Sequence, residues 1–166
     1  MRSAFFTVAV AVGFLLAVPA SAQTVGTTTV TAITSLCDTY LAGTPFRDAA
    51  VNAGFGLDTA LDEYYFGPQD EVTAIPPDAD GECDLVILYT EAEGPELLSS
   101  IVGFAEGRQG QKVMDRYPVA DDALQYWNTE WHMPGRALML TEMLGLDGSP
   151  AGEEYHVLMV TLSARP

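Results

Sequence analysis

The sequence predicts an α+β fold, an antiparallel sheet of about four or five strands packed by two or three helices and tied by one disulfide. Three observations carry that expectation. In the stretch Asp80–Phe104 an acidic turn, a dense apolar strand and an amphipathic helix follow one another. The C-terminal third divides into three strand-length runs separated by Gly/Pro-rich breaks. Only 2 cysteines occur, Cys37 and Cys83, and the second opens the apolar strand.

The first residues read as an address rather than as part of the fold. Met1-Arg2 gives a positive start, Ala4–Val18 is an almost unbroken apolar run, and Pro19 precedes the cleavage pattern Ala20-Ser21-Ala22. The run is shorter than the roughly 20 residues a membrane-spanning helix needs. Residues 1–22 are therefore expected to be a signal peptide, and 23–166 a single domain, periplasmic or secreted, with no stable membrane insertion after cleavage. The chain carries 23 acidic against 7 basic residues, a net charge of −16, and Arg2 leaves with the signal peptide. Nucleic acid and anionic lipid need clustered Lys and Arg, so neither is an expected partner. The acidity suits a solvated surface that resists aggregation, or, as the sharper use, a surface for a multivalent cation or a basic partner.

Two cysteines in an exported chain invite a disulfide. A Cys37–Cys83 bond would close a loop of about 47 residues, worth on the order of 4 kcal/mol in chain-entropy terms. No C-x-x-C supports a redox role.

Gln23–Thr29, small and threonine-rich, reads as a loose leader. Val30, Ile33, Cys37, Tyr40 and Leu41 then fall on one helical face, and Gly43 ends the helix. Thr44-Pro45 reads as an N-cap followed by proline at the first helical position. Phe46, Ala49, Ala50 and Ala53 form a second stripe, closed by Gly54. Phe55–Gly67 fits a helical turn or an edge strand equally. Glu71–Ile75 reads as a strand, stopped by Pro76-Pro77 and joined by a long loop to Cys83–Thr90. That strand is apolar on both faces, with Cys83, Leu85, Ile87 and Tyr89 on one and Val86 and Leu88 on the other. Such a strand is expected to sit inside a sheet and be covered by other elements. Glu93-Gly94-Pro95 starts the main helix, whose buried stripe is Leu97, Leu98, Ile101, Val102 and Ala105, with Gly107 as the stop. Arg108–Pro118 reads as a polar connection. Strands follow from Leu124 to Trp131, from Arg136 to Leu144 and from Glu154 to Leu162, the first two joined by the turn His132-Met133-Pro134-Gly135.

Motifs that carry chemistry are scarce. Asp78-Ala79-Asp80-Gly81-Glu82 matches the middle of a calcium loop, but Pro76 and Ile87 occupy the first and twelfth ligand positions, so an acidic hairpin turn is expected. Two histidines without H-x-H or H-E-x-x-H give no zinc signature. No G-x-S-x-G, P-loop or dinucleotide fingerprint occurs, and with 23 acids a carboxylate pair is no signal. No catalytic residue, metal site or cofactor is assigned. His156 is placed to pair with Glu130 or Glu142 across the sheet. Trp127 and Trp131 share a strand face, as core packing or as an aromatic platform. Together with His132 and Arg136 they bring an aromatic face, a titratable ring and a cation into one hairpin. Trp127, Trp131, His132 and Arg136 are therefore the expected ligand-binding residues.

A signal peptide, a helix-borne cysteine (Cys37), a Gly-aromatic pair (Gly54-Phe55) and a second cysteine opening a strand (Cys83) give a layout that resembles uncharacterised small periplasmic proteins of alphaproteobacteria. The resemblance covers most of the mature chain and implies a compartment but no activity. The expected function is an exported periplasmic binding or protein-interaction module, its partner an envelope protein or a small ligand. The alternative is a small periplasmic hydrolase using a histidine and a carboxylate. A structural accessory of an envelope complex is a third reading, to be recognised by a large exposed apolar patch.

Overall fold

The computed structural model of the chain describes residues 24–77, 81–120, 125–144 and 156–165. The expected signal peptide and the centre of the acidic turn, 78–80, lie outside them. At the middle of the sheet is β4 (Cys83–Tyr89), antiparallel to β3 (Val72–Ile75) on one side and β8 (His156–Ala164) on the other. Among the described residues the sheet is antiparallel throughout and has 8 strands in the order β1-β2-β3-β4-β8-β7-β6-β5, more than the expected four or five. It consists of two meanders. β1 (Gly56–Asp58), β2 (Glu63–Phe66), β3 and β4 form one; β5 (Gln111–Ala120), β6 (Gln125–Met133), β7 (Arg136–Leu144) and β8 form the other. The β4–β8 ladder joins them.

The additional strands lie at the two edges, where few side chains are buried. Phe55–Gly67 resolves into the β1–β2 hairpin, whose loop is held by Asp58 accepting from the N–H groups of Ala60 (2.7 Å) and Leu61 (3.3 Å). β5 replaces the expected polar connection Arg108–Pro118. Two bulges, between Lys112 and Met114 and between Met114 and Tyr117, break its alternation, and Arg116 inside the second has φ 45°. Exposed Val113 and Tyr117, the charges of Lys112, Asp115 and Arg116, and Pro118 make it a guarded edge rather than an apolar strand.

Helices pack on one side of the sheet. The segment expected to be a loose leader is helical from Val25: α1 (Val25–Ala32) runs through a π-helical turn, Ile33–Cys37, into α2 (Asp38–Leu41). Thr24 caps it by accepting from the Thr27 N–H at 3.2 Å. Thr31, Thr34 and Ser35 donate their hydroxyls back to the carbonyls four residues earlier, a habit that bends helices, beside the π-helical turn. What threonine lacks in propensity, tertiary burial supplies. Gly26 lies so close to α4 (Gly94–Gly107) that a Cβ there would meet Ser100 Oγ at 2.6 Å and the Glu96 carboxylate. α3 (Phe46–Ala53) takes Pro45 as its N-cap residue, one position earlier in the helix than expected, and ends at Gly54 with φ 88°.

Cys83, Leu85, Ile87, Val72, Leu138, Leu158, Val160 and Leu162 from the strands meet Ile33, Leu36, Ala49, Ala50, Leu97, Ile101 and Ala105 from the helices in one core. The disulfide Cys37–Cys83 ties the π-helical turn to the central strand. Arg108 clasps Asp38 through both guanidinium nitrogens, joining the end of α4 to α2. Thr28 and Thr29 are fully buried, and neither hydroxyl has a hydrogen-bond partner among the described residues. A buried unpaired hydroxyl costs about 1–3 kcal/mol. Thr28→Val is therefore expected to raise the free energy of unfolding by about 1 kcal/mol in urea denaturation; a loss of stability would show that the hydroxyl is satisfied.

Candidate functional site

The Trp127–Arg136 hairpin divides between the two faces of the sheet. The register pairs Trp131 with Leu138 and Trp127 with Glu142, placing both indoles on the helix side, while His132 opposite Ala137 points to the other side. Trp131 is 3% exposed, with the Lys112 ammonium 5.7 Å from its ring centre. Trp127 is half-buried, and the Arg116 guanidinium lies 5.4 Å from its ring centre. The turn is tighter than expected: β6 continues through His132 and Met133, leaving Pro134-Gly135 at the corner, with Gly135 at φ 71°. His132 is thus a strand residue, its Nε2 2.6 Å from Glu130 Oε1. Arg136 hydrogen-bonds the Gly135 carbonyl at 3.0 Å. The four residues do not converge on one point.

The second face of the sheet is the larger feature. Cross-strand rows run along it: Thr73, Val86, Met159, Thr141 and Asn128 in one, Ile75, Asp84, Thr161, Met139 and Glu130 in the next, then Ser163, Ala137 and His132. Among the described residues no helix covers it. Val86, Met139, Val157 and Met159 are half-buried, and Leu88 is 43% exposed. The expectation that β4 is covered on both faces is thus met on only one. Some of its polar members are paired within the sheet, as Thr161 donates to Asp84 at 2.6 Å and Glu130 meets His132, whereas the buried Asn128 Oδ1 has no hydrogen-bond partner among the described residues.

At Leu88 this face runs into a cleft of about 840 Å³, lined among others by Asp70, Glu71, Glu93 and Glu96. Glu96 accepts from the Thr24 hydroxyl and the Gly26 N–H, bridging α1 and α4. Glu93 accepts from the Thr90 N–H (2.8 Å) and hydroxyl (2.7 Å), bonds that hold its carboxyl below the usual carboxylate value. Among the described lining residues none is basic, so the cleft is a concentrated negative field.

A smaller cleft of about 290 Å³ lies on the helix side, where the start of α4 meets the ends of β4, β7 and β8. Tyr89 and His156 face each other across the β4–β8 ladder, ring centres 5.3 Å apart and planes 25° from parallel. Glu142 lines the same cleft and is 3.4 Å from Arg116. Burial, then the Glu142 charge, push the Tyr89 phenol up, with Arg116 opposing. Of the two carboxylates expected to partner His156, Glu130 is taken by His132 and Glu142 shares the cleft with it. Sequence reasoning missed this grouping because Arg116 lies on the unrecognised β5 and the other members are far apart in the chain.

Among the described residues no group of three or more His, Cys, Asp and Glu side chains is placed to hold a metal ion, and no helix is long and apolar enough to cross a membrane. Fold and surfaces define a disulfide-tied α+β protein with one sheet face that no helix among the described residues covers. Comparison with protein-family models, curated proteins and solved structures finds no match to this chain.

Proposed function

We propose that this protein is an exported, periplasmic binding module of the general kind its layout resembles, and that it takes up a cationic, apolar-faced segment of an envelope protein on its open sheet face. One observation carries the reading: the uncovered face of Val86, Leu88, Met139, Val157 and Met159, continuous at Leu88 with the acidic cleft. Methionine surfaces adapt to apolar partners, and an exposed apolar patch rimmed by charge marks an interaction site. The occupant is basic because the cleft and the chain's net charge of −16 attract cations and repel a second copy of the same chain. A Leu/Lys amphipathic peptide is the probe for calorimetry. It is expected to bind, more weakly as salt rises, and to lose at least about tenfold in affinity against a Val86→Asp/Met159→Asp variant. Equal binding to that variant, or equal binding of a Leu/Glu peptide, would refute the proposal.

A second reading, a hydrolase that uses histidine and carboxylate, rests on the Glu130–His132 contact, which holds an imidazole at a fixed orientation on the open face. Its cross-strand neighbours Gln111, Ala137 and Met139 bring no hydroxyl or thiol, so water would be the nucleophile. Turnover of nitrophenyl esters that disappears in His132→Ala would favour it over the binding module.

A further inference from the structure

The geometry points to a second binding site, for a small organic cation, in the cleft between the start of α4 and the ends of β4, β7 and β8: a primary amine on an aromatic or branched apolar body. The cleft, about 290 Å³, sits at the lower end of the range for pockets that hold small ligands. Its wall is apolar where Pro95, Leu98 and Met143 line it and aromatic where Tyr89 stacks on His156. Two carboxylates, Glu91 and Glu142, supply the charge. Glu142 is the one held in place: its side chain is 18% exposed, whereas its partner Arg116 is 58% exposed. Arg116 reaches Glu142 from the edge strand at 3.4 Å while lying against Trp127. That is a long, solvent-screened pairing, which an ammonium with three donors can displace. The electron-rich face of Tyr89 and the chain's negative field favour the same sign of ligand.

Arg116 is the internal competitor in this arrangement. With a ligand bound, the ammonium takes Glu142, its body covers Tyr89, Leu98 and Met143, and Arg116 stays on Trp127. The opposite sign is the serious rival, because the α4 N-terminus and His156 would both receive an anion. Tyr89, Leu98, Glu142 and His156 are on the helix side of the sheet and only Met143 shares the register of Val157 and Leu88, so the charge test separates this site from the open face.

The test is an NMR titration of the full-length mature protein with phenethylamine, 2-phenylethanol and phenylacetate, which share a body and differ in charge. Phenethylamine is expected to shift the resonances of Tyr89, Leu98, Met143 and His156, with the alcohol and the acid at least about tenfold weaker, the range of a charge-assisted hydrogen bond. Glu142→Gln should lose that preference, and Arg116→Ala should tighten amine binding by removing the competing cation. Phenylacetate binding best, or Arg116→Ala weakening the amine, would overturn the assignment, as would equal affinity for all three probes or binding to none. Should Glu142→Gln fail to fold, Leu98→Trp fills the cleft without altering its charge, and unchanged amine binding there would also overturn it.

Discussion

Replacing Cys83 by serine is expected to lower the free energy of unfolding by roughly 2–5 kcal/mol. The bond joins the π-helical turn of the first helical rod to the head of the central strand, across 46 positions of sequence, and both sulfurs lie in the core. Much of the effect acts on the unfolded chain, which loses a closed loop and gains conformational freedom. In urea the midpoint falls and the slope steepens, because the uncrosslinked denatured chain exposes more surface. Cys37→Ser should cost about the same, and the double variant little more than either single one, since all three remove the same bond. Full stability of the reduced protein would show that packing alone holds the helical layer to the sheet.

Trp131→Ala should cost about 3–5 kcal/mol, the range for emptying a buried aromatic site. Trp131 is 3% exposed and pairs across the ladder with fully buried Leu138. Trp127→Ala, at a half-buried position, should cost distinctly less, and Lys112→Ala within about 0.5 kcal/mol because that cation is on the surface. Circular dichroism during urea unfolding reads all three without relying on the indoles. A loss under about 1 kcal/mol for Trp131→Ala would move this indole out of the core and restore it as a platform for ligands.

Burial explains which parts of the fold the sequence made legible. β4 and α4 were readable because their buried residues impose a period: Cys83, Leu85, Ile87 and Tyr89 alternate, and Leu97, Ile101 and Ala105 return on one helical face. His156, Leu158, Val160 and Leu162 share a face for the same reason. β5 was invisible because an edge strand with two bulges and exposed Val113 and Tyr117 has no buried period to display. α1 was obscured by its threonines, whose helical state depends on contact with α4, a relation absent from the local sequence. The candidate sites were less legible still. Glu142, His156 and Arg116 are gathered by strand pairing within the second meander and Tyr89 reaches them only through the β4–β8 ladder, and a covered face cannot be told from an open one in a strand apolar on both sides. The Asp58 turn in the β1–β2 loop was the one overlooked signal that local reasoning could have used.

The position of the disulfide makes the chain's tolerance of proteolytic nicking unequal along its length. A cut between Cys37 and Cys83, for instance beside Leu61, which is 61% exposed, leaves two fragments still linked through sulfur. The second meander has no such bond. A cut beside exposed Gln109, where φ reaches 60° just after α4, leaves fragments held only by the β4–β8 ladder and the packing around it. The first kind of break keeps the pieces at high effective concentration, while the second makes reassembly depend on dilution. Of these two cuts, the one between α4 and β5 is the one after which the halves can part.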